Sequence, residues 1–567
     1  MGALGSRRVA MDQFRVRLRA EHQSSRVRGA VMRRILVSII GFVVIWLGLC
    51  SFGLAGGPTG DSDWATCLNA PSRSCILDEA LIRALLVGPA ASRELGEIAE
   101  LQASAGNLEL ARRIAQSIPP DQRARFTALA AVVRAQVNRG EAREAEQTLI
   151  QAHRLADAMP DRLTHAEALL TIGQAEADTG LAAEASSTLA ESVKQADEVE
   201  IRAAPACLLS SAPEDRLDGL FRVASEQLAK AGDIPGSIRV ARSIIYKPQI
   251  RTDALRAIGE IAAHDGRQSE AAAILRDAVE AAQASQTASQ RWPSCPSMTF
   301  GPASPDFYVD LLDQIAVTQG RIGVVEDAAT TLDLALRVIP DIKDSSFWRA
   351  EVSRSLVLSA IAETQRKVGL KSQAEVAFQR AAQAASEIGE PRDHVMAITR
   401  LARAQYQDGR VSDVSGIFGE ALALARALEK PEQRASELLN VAEAEVGLGL
   451  GSEAGPVLSE ALAVARSIAV QSGRANLLNR IARAQESAGH LQEGLSTYSE
   501  ALDAVEAMDK PGQRRSSLFM LLRGWPGQPL DTRLVADSAP RLLRINDAIG
   551  DKQHAAALIV IAKALPQ

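Results

Sequence analysis

Residues 474–505 read RANLLNRIARAQESAGHLQEGLSTYSEALDAV, and this stretch decides the fold. Its first half places Leu477, Leu478 and Ile481 at three- and four-residue spacing, which puts them on one helical stripe. Gly489 predicts the end of that helix, because glycine readily adopts the left-handed conformation common at helix C-termini. The second half again has helical spacing. The stretch therefore predicts two short antiparallel helices joined by a turn.

The same pattern recurs along the chain with a period of forty residues. Its turn glycines are Gly369, Gly409, Gly449 and Gly489. Less regular copies of the pattern surround the upstream glycines Gly106, Gly140, Gly180, Gly232, Gly266 and Gly323. A hairpin of this size cannot bury its apolar face alone, so neighbouring hairpins must cover one another. The repeats predict a stack of about ten hairpins between Leu81 and Gln567.

The units resemble tetratricopeptide repeats, especially the lengthened variety of about forty residues. The matching residues of the last regular unit are Ala482, Gly489, Tyr498 and Ala501. The resemblance implies an all-α, right-handed superhelix whose first helices line a concave groove, and it implies no catalysis. In this interpretation residues 81–567 form one repeat domain with inserts at 203–215 and 292–306. Residues 524–567 are expected to form a degenerate cap at the end of the stack.

The amino terminus predicts an encounter with a membrane. Residues 1–34 contain nine Arg and only two acidic residues, and residues 35–55 then run without a charge. The apolar run is long enough to span a bilayer as a helix, and it also fits a secretory signal peptide. Both interpretations stay open, as does a true start at Met32. Either one places the repeats on the periplasmic side of a bacterial inner membrane, with residues 35–55 as the membrane contact if they are not cleaved.

Four of the five cysteines lie outside the apolar run. Cys67 and Cys75 flank a turn-forming stretch in the expected linker 56–80, so we predict a disulfide between them. Cys207 and Cys295 lie in the two inserts and form the remaining possible pair. The sequence has no Cys-x-x-Cys spacing and no histidine close to a cysteine, so it does not indicate a metal site.

Charge and motifs exclude several classes of function. The chain carries a net charge of −6, and residues 1–55 carry +7, which leaves −13 on residues 56–567. We therefore expect no nucleic-acid partner, because such binders need a basic surface. The sequence has no His-Glu-x-x-His, Gly-x-Ser-x-Gly or Walker A motif. We expect no enzymatic activity, no cofactor and no small-molecule substrate.

The candidate binding residues lie on the expected first helices of the regular units. The residue after the small position alternates in sign at a period of forty, as Glu363, Arg403, Glu443 and Arg483. Other polar residues expected on the same face are Thr399, Tyr406, Asn476, Asn479 and Glu486. One interpretation is a polar groove that binds an extended peptide or a partner helix. The other is a ladder of ion pairs between repeats that only stabilises the stack.

These features predict a scaffold for protein–protein interaction that is exported or anchored in the membrane. One alternative is a superhelical domain associated with a cell-envelope hydrolase, which would need a separate catalytic module. Another alternative is a cytoplasmic peptide-sensing regulator, which would need Cys67 and Cys75 as free thiols in a reducing compartment.

Overall fold

The computed structural model describes residues 60–199, 213–244, 247–288, 305–344, 349–406, 411–523, 532–549 and 554–565. The predicted membrane-contacting run 35–55, Cys207, Cys295 and most of both inserts lie outside these described residues. The described residues form helices and turns and contain no strand, which confirms the all-α prediction. None of the helices described is long and apolar enough to cross a bilayer.

The described α-helices are, in chain order, Gly60–Asn69 (α1), Arg73–Val87 (α2), Ser92–Ser104 (α3), Leu108–Ser117 (α4), Arg123–Asn138 (α5), Ala142–Asp157 (α6), Arg162–Asp178 (α7), Ala182–Asp197 (α8), Pro213–Lys230 (α9), Ile234–Arg242 (α10), Pro248–His264 (α11), Gln268–Ala288 (α12), Pro305–Arg321 (α13), Val325–Val338 (α14), Ala350–Val368 (α15), Lys371–Ser386 (α16), Pro391–Tyr406 (α17), Val411–Ala427 (α18), Pro431–Gly447 (α19), Gly451–Arg466 (α20), Gln471–Ser487 (α21), Leu491–Glu506 (α22), Pro511–Arg523 (α23), Thr532–Asp537 (α24), Ala539–Ile549 (α25) and His554–Ala564 (α26). Short 3-10 helices cover Gly88–Ala91 and Ile339–Asp341.

The turn glycines end the first helix of each hairpin, as the sequence predicts. Gly369, Gly449 and Gly489 have φ angles of 96°, 79° and 91°, in the left-handed region that other residues rarely adopt. Gly409 lies outside the described residues. At the other end of the hairpins, Pro391 and Pro431 are the first residues of α17 and α19, where the missing N–H of proline costs no helical hydrogen bond.

Successive helices pair from α3 to α22, and the last first helix, α23, contacts α25, whereas the short helix α24 contacts α22, α25 and α26. Each first helix also contacts the first helix of the next hairpin, whereas second helices of neighbouring hairpins barely touch. The first helices therefore lie on the inside of the curve, where the circumference is shorter and the helices are closer together.

The stack closes on itself. The last helix, α26, packs against α2 as extensively as the two helices of an ordinary hairpin pack against each other. It also contacts the first helices on both sides, α23 and α3, and α2 contacts α3 in the way every second helix contacts the next first helix. Helices α26 and α2 thus form a composite hairpin. With the eleven hairpins from α3 to α25 it makes a ring of twelve.

This closure corrects two sequence-based expectations. The described part of the expected cap, residues 532–549 and 554–565, does not cap an open stack, because α26 is buried on nearly all sides, with Leu558 and Ile561 at 0% exposure. A cap would keep a polar outer face in water. Residues 56–80 are not only a linker, because they include α1 and the start of α2.

A disulfide joins the two amino-terminal helices. It links Cys67 of α1 to Cys75 of α2, with a Cα–Cα distance of 6.0 Å. Cys67 is buried in the same hydrophobic cluster that contains residues of α2 and α26.

Candidate binding surface

The inner surface of the ring is built on the first helices. On each regular first helix the small residue is fully buried against the second helix of the hairpin, as at Ala362, Ala442 and Ala482. The residue that follows points toward neighbouring first helices instead, because successive helical residues are about 100° apart. Glu363, Glu443 and Arg483 of the predicted series each contact a neighbouring first helix.

Two members of the series are held in ion pairs between repeats. A carboxylate oxygen of Glu363 lies 3.7 Å from the guanidinium of Arg400 on the next first helix, and the other lies 2.6 Å from Lys367. Glu443 accepts a hydrogen bond of 2.7 Å from Arg480, which also donates to the Asn440 side chain at 2.8 Å. These contacts are those that the ladder interpretation predicts.

Three of the nine candidates are buried rather than accessible. Arg483 is 7% exposed and donates to the Leu521 carbonyl at 3.1 Å and to Asn479 at 3.4 Å. Asn479 and Thr399 are 2% and 7% exposed. A partner could not reach these three side chains without opening the packing between first helices. Their side chains belong to the packed interior between first helices.

The remaining four candidates lie on α17 and α21 and are not fully buried. Arg403 is exposed and makes no ion pair or hydrogen bond with any described residue. Tyr406, one turn further along α17, is half-buried, and so are Asn476 and Glu486 on α21. The structure does not gather these residues into one cluster. They are spread over an arc of three first helices, because α19 lies between α17 and α21.

The arc before α17 carries carboxylates at the inner surface. Burial raises the pKa of Asp313 on α13 to about 6, against a lowering effect of the Thr364 hydroxyl, and the nearby carboxylates Asp310 and Glu363 raise it further. Burial also raises the pKa of Asp253 on α11. Burial therefore favours the neutral form of both carboxyls, although Arg400 lies near Asp313 and Arg256 lies near Asp253.

Sequence reasoning missed a buried polar position four residues before seven of the turn glycines. It is occupied by Gln102, Gln136, Glu176, Gln319, Gln365, Glu445 and Gln485, all of which are buried. Gln136 accepts a hydrogen bond from Thr148 of its own hairpin at 3.0 Å. Oε1 of Glu176 lies 2.9 Å from Nε2 of His153 in the preceding hairpin, and this hydrogen bond raises the pKa of the histidine. The recurrence of Gln365, Glu445 and Gln485 at multiples of forty residues was the sequence signal that could have revealed this buried position.

Glu445 is the one glutamate at this position among the hairpins that follow the forty-residue period. It is 5% exposed, and its Oε2 has no hydrogen-bond partner among the described residues. Burial, together with the nearby carboxylate of Glu453, raises its pKa to about 7. The other regular hairpins have a neutral glutamine there, so Glu445 introduces a titrating group into an otherwise neutral site.

A second feature is an arginine near the start of several first helices, which recurs in the sequence at Arg434, Arg474 and Arg514 and whose contacts only the structure shows. Arg434 donates to the Leu428 carbonyl at 2.9 Å, and Arg514 donates to the Met508 carbonyl at 2.7 Å. These carbonyls end the preceding second helix, where a cation is favoured by the helix dipole. The arginines hold successive hairpins together and are not free for a partner. Among the described residues no group of three or more His, Cys, Asp or Glu side chains could hold a metal ion.

The described hairpins are tetratricopeptide-like. No protein-family model and no curated protein matches the chain. Among solved structures, TPR-like repeats of a kinesin light chain from Podosopora anserina are 18% identical, cover 35% of this chain and 95% of that chain, and give a TM-score of 0.24. BtubC from P. vanneervenii is 15% identical, with 45% and 94% covered and a TM-score of 0.26. A Rap protein complexed with Competence and Sporulation Factor is 13% identical, with 70% and 100% covered and a TM-score of 0.23. Because these TM-scores are low, the fold rests on the chain's own helix contacts.

Proposed function

We propose that this protein is an interaction scaffold that binds a protein or peptide partner along the inner surface of its ring. The observation that carries the proposal is the exposed guanidinium of Arg403, which has no partner among the described residues. At the equivalent position of the other repeats, Glu363 and Glu443 are ion-paired and Arg483 is buried. A charge that the fold does not use internally is available for a ligand.

The partner chemistry follows from the other polar groups on the same three first helices as Arg403. Asn476 offers an amide that both donates and accepts, and Tyr406 offers a ring with a hydroxyl. The exposed carboxylate of Asp310 on α13 adds the opposite charge on an earlier first helix. This mixture fits an extended polypeptide, whose backbone and side chains supply donors and acceptors of both signs, better than a ligand of one charge.

We also propose that the ring works outside the cytoplasm. The arginine-rich segment 1–34 and the apolar run 35–55 support export or anchoring. The disulfide between Cys67 and Cys75 agrees with an oxidising compartment, since such bonds are rare in the bacterial cytoplasm. Cell fractionation with amino-terminal sequencing of the recovered protein tests this part. Recovery from the cytosol alone would reject it.

The binding surface is tested by comparing cross-linked complexes of three forms of the full chain. The inner-surface variant is Arg403→Ala with Asn476→Ala, and the control is Arg380→Ala, an exposed arginine on the second helix α16. Partners that use the inner surface should be lost from the first variant and kept by the control. If both variants recover the same proteins as the wild type, the inner surface is not the binding site.

A further inference from the structure

The composite hairpin of α26 and α2, here called the clasp, differs from every regular hairpin in its connection. In a regular hairpin the two helices follow each other in the chain, so a short turn keeps them together even when their side-chain contacts break. The clasp has no such turn. The contact between Lys563 of α26 and Glu97 of α3, at the same joint, spans 466 residues of sequence.

Only side-chain contacts therefore hold the clasp shut directly. Its interior is apolar, with Ile76, Leu77 and Leu81 of α2 and Leu558 and Ile561 of α26 buried in one cluster. Its edges carry two ion pairs. Lys563 lies 2.9 Å from Glu97, and Arg83 of α2 lies 3.7 Å from Asp547 of α25. These side chains are about a third or more exposed, so water and salt weaken both pairs.

Helix α1 lies across the joint. It contacts α25 on the carboxyl-terminal side, and its Trp64 packs against the shared hydrophobic cluster. The Cys67–Cys75 disulfide ties α1 to α2 on the amino-terminal side. Every contact between α1 and α25 thereby also holds α2 in place. Without the disulfide, α1 and α2 could separate from the joint one after the other.

We propose that the clasp is where the ring opens to admit or release its partner, and that the Cys67–Cys75 disulfide holds it closed. The use of the opening by a partner rests on the proposed function, whereas the opening itself does not. Opening at this joint exposes the inner surface from the side and breaks no turn. A partner with folded ends then needs no threading through a closed ring.

Hydrogen exchange of the full oxidised chain tests the opening without any partner. Amides of α2 and α26 should exchange together and faster than those of the regular hairpin α15–α16. A reductant should raise exchange in both clasp helices by about threefold or more and leave α15–α16 unchanged. The variant Cys67→Ser with Cys75→Ser should exchange like the reduced wild type and ignore the reductant. This control separates the effect from the other three cysteines.

A covalent lock supplies the second measurement. A zero-length carbodiimide reagent should couple the Lys563 amine to the Glu97 carboxylate, which are 2.9 Å apart, and peptide mapping should recover that linkage. Lys563→Arg keeps the positive charge but cannot be coupled, so it serves as the control. In the locked wild type, α26 should lose its response to the reductant.

The outcomes separate this inference from the proposed function. The clasp proposal is overturned if the reductant changes neither helix, if α2 responds while α26 does not, or if no linkage between Glu97 and Lys563 forms. If the clasp responds while the Arg403 variant keeps all its partners, the opening stands and the inner-surface proposal fails. If the Arg403 variant loses partners while the clasp does not respond, only the opening proposal fails.

Discussion

Lys563 donates a hydrogen bond of 2.9 Å to Glu97, so the last helix of the chain lies beside the first complete hairpin. The two residues are on helices that belong to neighbouring positions of the ring, α26 and α3. Their contact turns a linear series of repeats into a closed one. In a closed series each end is stabilised by the other, whereas the ends of an open stack are its weakest parts.

Truncating a core residue of α26 should destabilise the opposite end of the sequence. Leu558→Ala removes a fully buried side chain and should cost about 2–5 kcal/mol of the free energy of unfolding. The measurement is urea unfolding, together with limited proteolysis that maps the first cleavage to residues 60–104. The exposed Val470, replaced by Ala, is the control and should change stability by less than about 0.5 kcal/mol. First cleavage confined to residues 532–565 would contradict closure.

Glu445→Gln should stabilise the protein at alkaline pH. Since the folded pKa of about 7 lies above the ordinary value of 4.5, ionising Glu445 costs folding free energy as pH rises from 4.5 to 7, and the whole cost is present above pH 7. The variant should therefore be nearly neutral at pH 4.5 and more stable by about 2–3 kcal/mol at pH 8. Thermal unfolding across this pH range measures the difference.

The equivalent position in the next repeat, Gln485, gives the reciprocal control for Glu445. Gln485 is equally buried, at 2% exposure, so Gln485→Glu should install the same penalty at pH 8 and lose it toward pH 4.5. Equal pH profiles for the wild type and both variants would mean that neither site is shielded from water.

Arg403 and Arg483 should behave differently although they occupy equivalent positions in their repeats. Arg483→Ala leaves the Leu521 carbonyl without this donor in a buried place and should cost about 2–4 kcal/mol. Arg403→Ala should change stability by less than about 0.5 kcal/mol, because the side chain is exposed. Chemical unfolding of both single variants measures this. If Arg403→Ala proves the more destabilising of the two, the assigned roles are reversed.

Gly494→Ala should destabilise the hairpin α21–α22. A Cβ at this position would lie 2.8 Å from the Ala482 carbonyl oxygen, so the two helices would have to move apart, at about 1–3 kcal/mol. Gly473→Ala is the matched control, since no atom lies within 4 Å of its added Cβ and alanine favours the helix by up to about 1 kcal/mol. Melting temperatures should move in opposite directions. A rise for Gly494→Ala would show that the helices have room to spare.

The candidate surface was predictable in position but only partly in role. The forty-residue period predicted equivalent places for Glu363, Arg403, Glu443 and Arg483, because residues one period apart occupy equivalent places in a stack, and all of these except Arg403 contact a neighbouring first helix. Their environments differ, since each depends on the side chain that the next helix presents. Glu443 accepts a hydrogen bond from Arg480, and Arg483 donates one to the Leu521 carbonyl, whereas Arg403 has no partner among the described residues.

The sequence by itself determined the helices, their turns and their pairing, because these depend on local spacing and on a few glycines such as Gly489 with a required positive φ. Only the tertiary structure decided that the repeats form a ring. Closure depends on whether the small rotation and shift at each of many hairpin contacts add up to bring α26 onto α2. No local pattern records that sum, and the two helices that meet lie at opposite ends of the described chain.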